Sequence, residues 1–230
     1  VDDYLKKANK NGAKIKYIFE THFHADFVSG HLDLAKKTNA KIVFGPTAKP
    51  EFDAIIATDN QEFKVGDYTI KAIHTPGHTK CSFSFLMKDR VFTGDTLLIN
   101  GTGRTDFQGG NSEDQYNSIF NNLLKLPEET LVYPAHDYNG KKYSTIIQEK
   151  RNNPRLQVNS VNEYVDIMNN DDAIIALEGR NYNPQFVETL DSKGRLGKVK
   201  DITKDHDRSG WFKNLFNRGA NQTRQGNTDQ

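Results

Sequence analysis

Residues 18 to 31 read IFETHFHADFVSGH, an apolar run that closes on Glu20, His22, His24, Asp26 and His31. Three of the chain's seven histidines fall in that stretch. A single loop rarely supplies every donor that a metal centre needs, so other elements must bring partners to it. Three later segments have the same form, a β-rich run ending in a ligand-type side chain: His78 in HTPGHTK, Asp95 in FTGDTL and His136 in YPAHDY. Open α/β architectures place ligands beyond the carboxyl ends of their strands. The pattern predicts a mixed α/β fold whose strand ends converge on one polar place.

The flanking segments agree with that frame. AKIKYIFE (13–20) reads as a β-branched strand, HLDLAKKTN (31–39) as a short helix and KIVFG (41–45) as a buried strand. Turn residues at Gly66-Asp67 and Lys88-Asp89 make hairpins of QEFKV with YTIKAIHT and of CSFSFLM with RVFTG. Residues 112 to 126 are amphipathic, with Tyr116, Ile119, Phe120, Leu123 and Leu124 on one face; Ser112 with Gln115 reads as a capping box. TLVYPAH (130–136) is a further strand, and helix signals return at 144–152 and 161–170.

Composition bounds the rest. Residues 13 to 136 are rich in Ile, Val, Phe and Tyr, whereas the chain beyond about 190 is mostly polar and cannot bury a core. The expected organisation is one domain over 1–175 and a polar, partly disordered extension over 176–230. Within that extension Trp211, Phe212, Leu215 and Phe216 form an isolated apolar set at helical spacing. A formal net charge of +1 gives no footprint for nucleic acid. No apolar stretch reaches the ~18 residues of a membrane span. The single Cys81 rules out an internal disulfide and fits a reducing compartment, and the charged start VDDYLKKANKNG lacks a signal peptide's apolar segment. Cytoplasm is the expected location.

A lone buried histidine is more often a hydrogen-bonded core residue than a ligand, and His74 is assigned that role. Cys81 has no evident general base and is read as a buried structural thiol. His22, His78 and Asp95 differ, because three weak signals share one spacing and one topology. Imidazoles with a carboxylate suit Zn, Fe, Mn or Ni, and the lack of thiolate ligands argues against a Cys-rich structural zinc site.

THFHADFVSGH, TPGHT, FTGDTLL and YPAHDY, in that order, resemble the metallo-β-lactamase superfamily. Within it, GTGRTDFQGG, VYPAHDYNG and EKRNNPRL resemble the persulfide dioxygenases over roughly residues 13 to 160. The resemblance implies an αββα sandwich, a single Fe(II) held by His22, His78 and Asp95, and oxidation of a small-molecule thiol persulfide by O2. His24, Asp26 and His136 then become residues that orient the ligands; the alternative for His24 is a fourth ligand, as in the zinc relatives. Arg104 matches the position that contacts a carboxylate of the substrate; the alternative is an Arg104–Asp106 ion pair that only stiffens the loop. Tyr138 is a second candidate for the same pocket. Phe27 stands where dinuclear relatives have a histidine, and a benzyl group coordinates nothing, which favours one metal.

Two other readings stay open. A Zn2+-dependent thioester hydrolase of glyoxalase II type would use the same ligands. The resemblance also implies strands ahead of YLKKANKNG, so the fold is expected to lack its N-terminal strands and to expose a sheet edge. That edge points to a catalytically silent scaffold, and a homodimer is compatible with it.

Overall fold

Ahead of the first strand the chain forms α1 (Asp2–Lys10), with Asp2 and Asp3 in its first turn and Lys7 and Lys10 in its last. That charge order complements the helix dipole. A computed structural model describes residues 1–23, 29–107, 109–137 and 140–169, with 189–190 and 196–197 beyond them. It divides into two units, Val1–Asn181 and Tyr182–Gln230; of the second, Thr189–Leu190 pairs antiparallel with Leu196–Gly197. Trp211, Phe212, Leu215 and Phe216 lie outside the described residues.

The first sheet runs β1 (Tyr17–Phe19), then α2 (His31–Thr38), β2 (Lys41–Phe44) and β3 (Ile55–Ile56), with the three strands parallel in that order. β1 is shorter than the apolar run suggests, and β3 has no counterpart in the sequence reading. The second sheet holds β4 (Glu62–Val65), β5 (Tyr68–His74), β6 (Phe83–Leu86), β7 (Arg90–Gly94), β8 (Leu131–Pro134) and β9 (Ser144–Thr145), in chain order. Both expected hairpins form, and Gly66 takes the positive φ of +59° at the first turn. β7 and β8 are parallel, joined by a crossover containing α3 (Ser112–Asn117). α4 (Ile146–Asn152) and α5 (Val161–Asn169) follow.

Alternation along β1 shows how the layers stack. Tyr17 and Phe19 pack on Phe63, Phe83 and Phe85 between the two sheets, while Ile18 faces Ile42, Phe44 and Ala35 under α2. On the far side Ile119, Leu123, Ile146 and Tyr164 cover Val91 and Val132 of the second sheet. Helix, sheet, sheet and helix make the expected αββα sandwich, with side chains of one strand serving two layers.

Residues 112–126 depart from a single capped helix. After α3 the chain widens into a π-helical turn, Ser118–Asn122, and tightens into a 3-10 turn, Leu123–Lys125. The cap is Asn111, whose side chain accepts from Asp114 N at 2.8 Å, so the box expected of Ser112 and Gln115 does not form. Gln115 turns inward instead. Its Nε2 donates to Gly103 O at 3.0 Å, and its Oε1 accepts from Tyr164 Oη at 2.8 Å, with both residues fully buried. A capping box does close α4, between Thr145 and Gln148.

Tyr164→Phe strips the donor from Gln115 Oε1 and leaves a buried acceptor unmatched, an expected loss of about 1–3 kcal/mol in urea unfolding. Tyr164→Phe with Gln115→Leu is expected to cost less than the two single changes together, because neither partner is then stranded.

Glu149 on α4 is buried, with Oε2 accepting from Asn100 N and Asn153 Nδ2, each at 2.9 Å. Burial pushes its carboxyl up from 4.5 despite those donors. The folded state therefore holds its proton to higher pH than the unfolded chain, and stability falls as pH rises from about 4.5 through the raised value. Glu149→Gln is expected to remove that slope, read from denaturant midpoints across pH 4 to 7.

Candidate metal centre

Strand ends deliver the site. β1 leads into Thr21 and His22, β5 into the turn bearing His78, β7 into Asp95 and β8 into His136. The turn before His78 is tight: Gly77 has φ +135°, and a Cβ there would sit 2.3 Å from Gln115 Cα. Only glycine fits.

His22, His78 and Asp95 each present a ligand atom within 4.8 Å of the other two. Asp95 Oδ2 lies 3.8 Å from His22 Nε2 and 3.6 Å from His78 Nε2. Those gaps are too long for hydrogen bonds; ligands at about 2.0–2.2 Å from one metal stand roughly 3–3.6 Å apart, so 3.6 Å is at the upper edge of that range and 3.8 Å just beyond it. The two imidazoles meet edge to face, with centroids 5.0 Å apart.

Neighbours fix which atom of each ligand faces the centre. His78 Nδ1 lies 2.8 Å from Arg104 O; a carbonyl only accepts, so Nδ1 carries the proton and Nε2 offers its lone pair inward. His22 Nδ1 is 3.0 Å from Thr21 Oγ1, a contact that turns Nε2 toward the centre. Asp95 Oδ1 accepts from His136 Nδ1 at 2.7 Å, which leaves Oδ2 for the centre. Burial alone raises the Asp95 carboxyl, but the His136 hydrogen bond and the fields of His136, His22 and His78 outweigh it and hold the group below its ordinary value.

Arg104 contributes its backbone to His78 and its side chain to Asp106, through Nε at 2.7 Å and Nη2 at 2.8 Å. The guanidinium also lies over Phe107, 5.5 Å from the ring centroid. The Arg104–Asp106 pair weighed from sequence is therefore present. His24, Asp26, Phe27 and Tyr138 lie outside the described residues. His74 bonds Lys80 O at 3.0 Å and packs on Phe83, a structural histidine as expected. Cys81 is buried, and its Sγ accepts from Phe23 N at 3.2 Å. Sequence reasoning missed Gln115, whose inward turn no local pattern announces, and the pairing of Glu20 with His31 across the loop.

This fold with this donor set defines an αββα scaffold with a candidate metal site, and residues 2–136 match the family model of the metallo-beta-lactamase superfamily. The chain belongs to that superfamily. It is 37% identical over 162 residues to the mitochondrial persulfide dioxygenase ETHE1 of Homo sapiens, covering 69% of this chain and 63% of the human protein's length. A hydroxyacylglutathione hydrolase of Tolumonas auensis is 35% identical over 153 residues, covering 65% of this chain and 59% of that protein. Among solved structures, ETHE1 from Myxococcus xanthus superposes with a TM-score of 0.70 at 38% identity, covering 79% of this chain and 82% of that one. No helix among the described residues is long and apolar enough to cross a membrane.

Proposed function

We propose that the protein is a persulfide dioxygenase with one Fe(II) per chain, held by His22, His78 and Asp95. The reading rests on one observation: two imidazoles and a carboxylate from three separate loops lie within 4.8 Å of one another, in a chain similar to named persulfide dioxygenases. The donor set fits the ion, being the two-histidine, one-carboxylate arrangement that leaves open positions on non-haem iron. Ferrous iron so held supplies the redox chemistry with O2 that oxidises the terminal sulfur of the persulfide. Per turnover, R–S–SH, one O2 and one water give R–SH, sulfite and two protons.

The chain's residues do the rest. His136 keeps Asp95 ionised and pins its outer oxygen, so the inner one is presented alone. Arg104 O sets the plane of the His78 ring. The guanidinium of Arg104 spends Nε and Nη2 on Asp106, which leaves Nη1 to meet a carboxylate of the thiol substrate. His24 and Asp26 are proposed as further groups that orient the ligands, and Tyr138 as a second contact to substrate. Phe27 supplies no ligand to a second ion. The buried Cys81 thiol fits a reducing compartment such as the cytoplasm. In the same reading the catalytic domain spans residues 1–175 and the polar extension 176–230.

The likeness to a hydroxyacylglutathione hydrolase favours one other reading, a zinc enzyme cleaving a thioester. The test is to load the metal-free protein anaerobically with Fe(II) or with Zn(II) and follow each with an oxygen electrode and a sulfite assay. Oxygen uptake and sulfite from a low-molecular-weight thiol persulfide, only with iron, is the expected result. Thioester cleavage by the zinc form without oxygen uptake would replace the dioxygenase reading; metal binding with neither activity would leave a silent scaffold.

A further inference from the structure

The connection from β1 to α2 carries His22, and its two ends are tied to one carboxylate. Glu20 Oε1 accepts from Ser29 Oγ at 2.9 Å, and the same oxygen lies 3.3 Å from His31 Nδ1. Glu20 is itself anchored, its backbone N donating to Val43 O of β2 at 3.0 Å. His31 is the first residue of α2, and its ring stands against Phe52 and Phe44 at centroid distances of 5.2 and 5.7 Å. Phe44 also meets Phe23, the residue after His22, at 5.6 Å. One aromatic ring and one carboxylate oxygen thus touch both ends of the connection.

The chemistry of this tie is unusual for its surroundings. Glu20 and His31 side chains are only 20% and 10% exposed, next to Phe44 and Phe52 where apolar side chains would pack as well. Burying a carboxylate and an imidazole there is costly unless they are paired: Glu20 has the Ser29 hydrogen bond, while His31 meets the same oxygen as a polar contact at 3.3 Å and not as an aligned hydrogen bond. What the polar set adds over apolar packing is direction at Ser29, whose hydroxyl is hydrogen-bonded to Glu20, and an attractive contact that draws His31 to the same oxygen. Glu20 is two residues before His22, so any freedom at the base of the loop is transmitted to that ring.

We propose that Glu20, with Ser29 and His31, is a positioning clamp that closes the base of this loop and holds His22 in register with His78 and Asp95, thereby setting the affinity and geometry of the metal centre. The proposal rests on the reading of those three residues as metal ligands and does not depend on which reaction the metal serves. A competing arrangement is on view: Phe83 N donates to Thr21 O at 2.7 Å and Phe23 N to Cys81 Sγ at 3.2 Å, bracketing His22 without the clamp. If those two bonds suffice, the clamp is dispensable.

Co(II) titration of the metal-free full chain separates the cases, with Kd read by chelator competition and geometry by the visible ligand-field bands. Glu20→Ala is expected to weaken Co(II) binding by about 10- to 100-fold and to alter the band pattern, the range seen when groups behind metal ligands are removed. Glu20→Gln keeps an oxygen acceptor and is expected to restore the wild-type bands and most of the affinity. Glu20→Ala with His31→Ala should bind no more weakly than Glu20→Ala alone, because both break one tie. Ser29→Ala removes one arm with little volume change and carries the test if Glu20→Ala does not fold; it should weaken binding by about 3- to 10-fold, the lower part of that range or below it. Unchanged Kd and bands in a folded Glu20→Ala or Ser29→Ala, or additive losses in the double variant, would overturn the clamp. Failure of the wild-type chain to bind Co(II) would overturn the metal centre itself, a separate result.

Discussion

Asp95→Ala is expected to empty the centre: metal content falls from about one ion per chain to less than about a tenth, and oxygen uptake disappears. Asp95 is the only anionic member of the three-residue set. Its Oδ2 is the atom that both ring nitrogens face, at 3.8 and 3.6 Å. Without it, only the two imidazoles remain, and the affinity loss should exceed the roughly 10- to 100-fold that follows from disturbing groups behind a ligand. Thermal unfolding gives an independent measure. Metal at 100 times its Kd stabilises the folded state by about 2.7 kcal/mol, roughly 5–10 °C for a domain of this size. Wild type should show that gain and Asp95→Ala none. Equal metal content and equal metal-induced stabilisation in the two proteins would remove the site.

Asp95 was legible because its position repeats a rule, a strand followed by a donor, that His22, His78 and His136 also obey. Local pattern likewise located α2 and β2, and turn residues located both hairpins. Local pattern failed where tertiary partners override local chemistry. Gln115 sits three residues after Ser112 and satisfies a capping pattern, yet its amide is claimed by Gly103 O and Tyr164 Oη. The widened turn at 118–122 follows no signal in the residues themselves. β3 is two residues long, too short for alternation to register, and owes its existence to pairing with Val43 and Phe44. Glu20 and His31 were in plain view in the opening motif, but only the folded loop brings position 20 to position 31.

The glycine-rich run GTGRT lies beside the centre, and two of its glycines make opposite predictions. A Cβ on Gly103 would lie 2.1 Å from Asp95 O and 2.8 Å from His78 Nδ1. Neither is the far end of a flexible chain: one is the carbonyl that Gly103 N bonds at 2.8 Å, the other a ring held by the next residue's carbonyl. Relief must come from moving the backbone under both ligands. Gly103→Ala is expected to cost about 1–3 kcal/mol of overpacking, and to weaken metal binding at least as much as changes behind a ligand do, about 10- to 100-fold. Gly101, two residues earlier, has space for a methyl, which would meet only Leu98 Cβ, at 4.0 Å. Gly101→Ala should stay within about 0.5 kcal/mol of wild type, as surface changes away from such features do, and bind metal normally. Denaturant midpoints and chelator competition on the two variants settle the matter; a Gly103→Ala protein as stable and as tightly metallated as Gly101→Ala would mean that the 101–105 loop does not support the ligands.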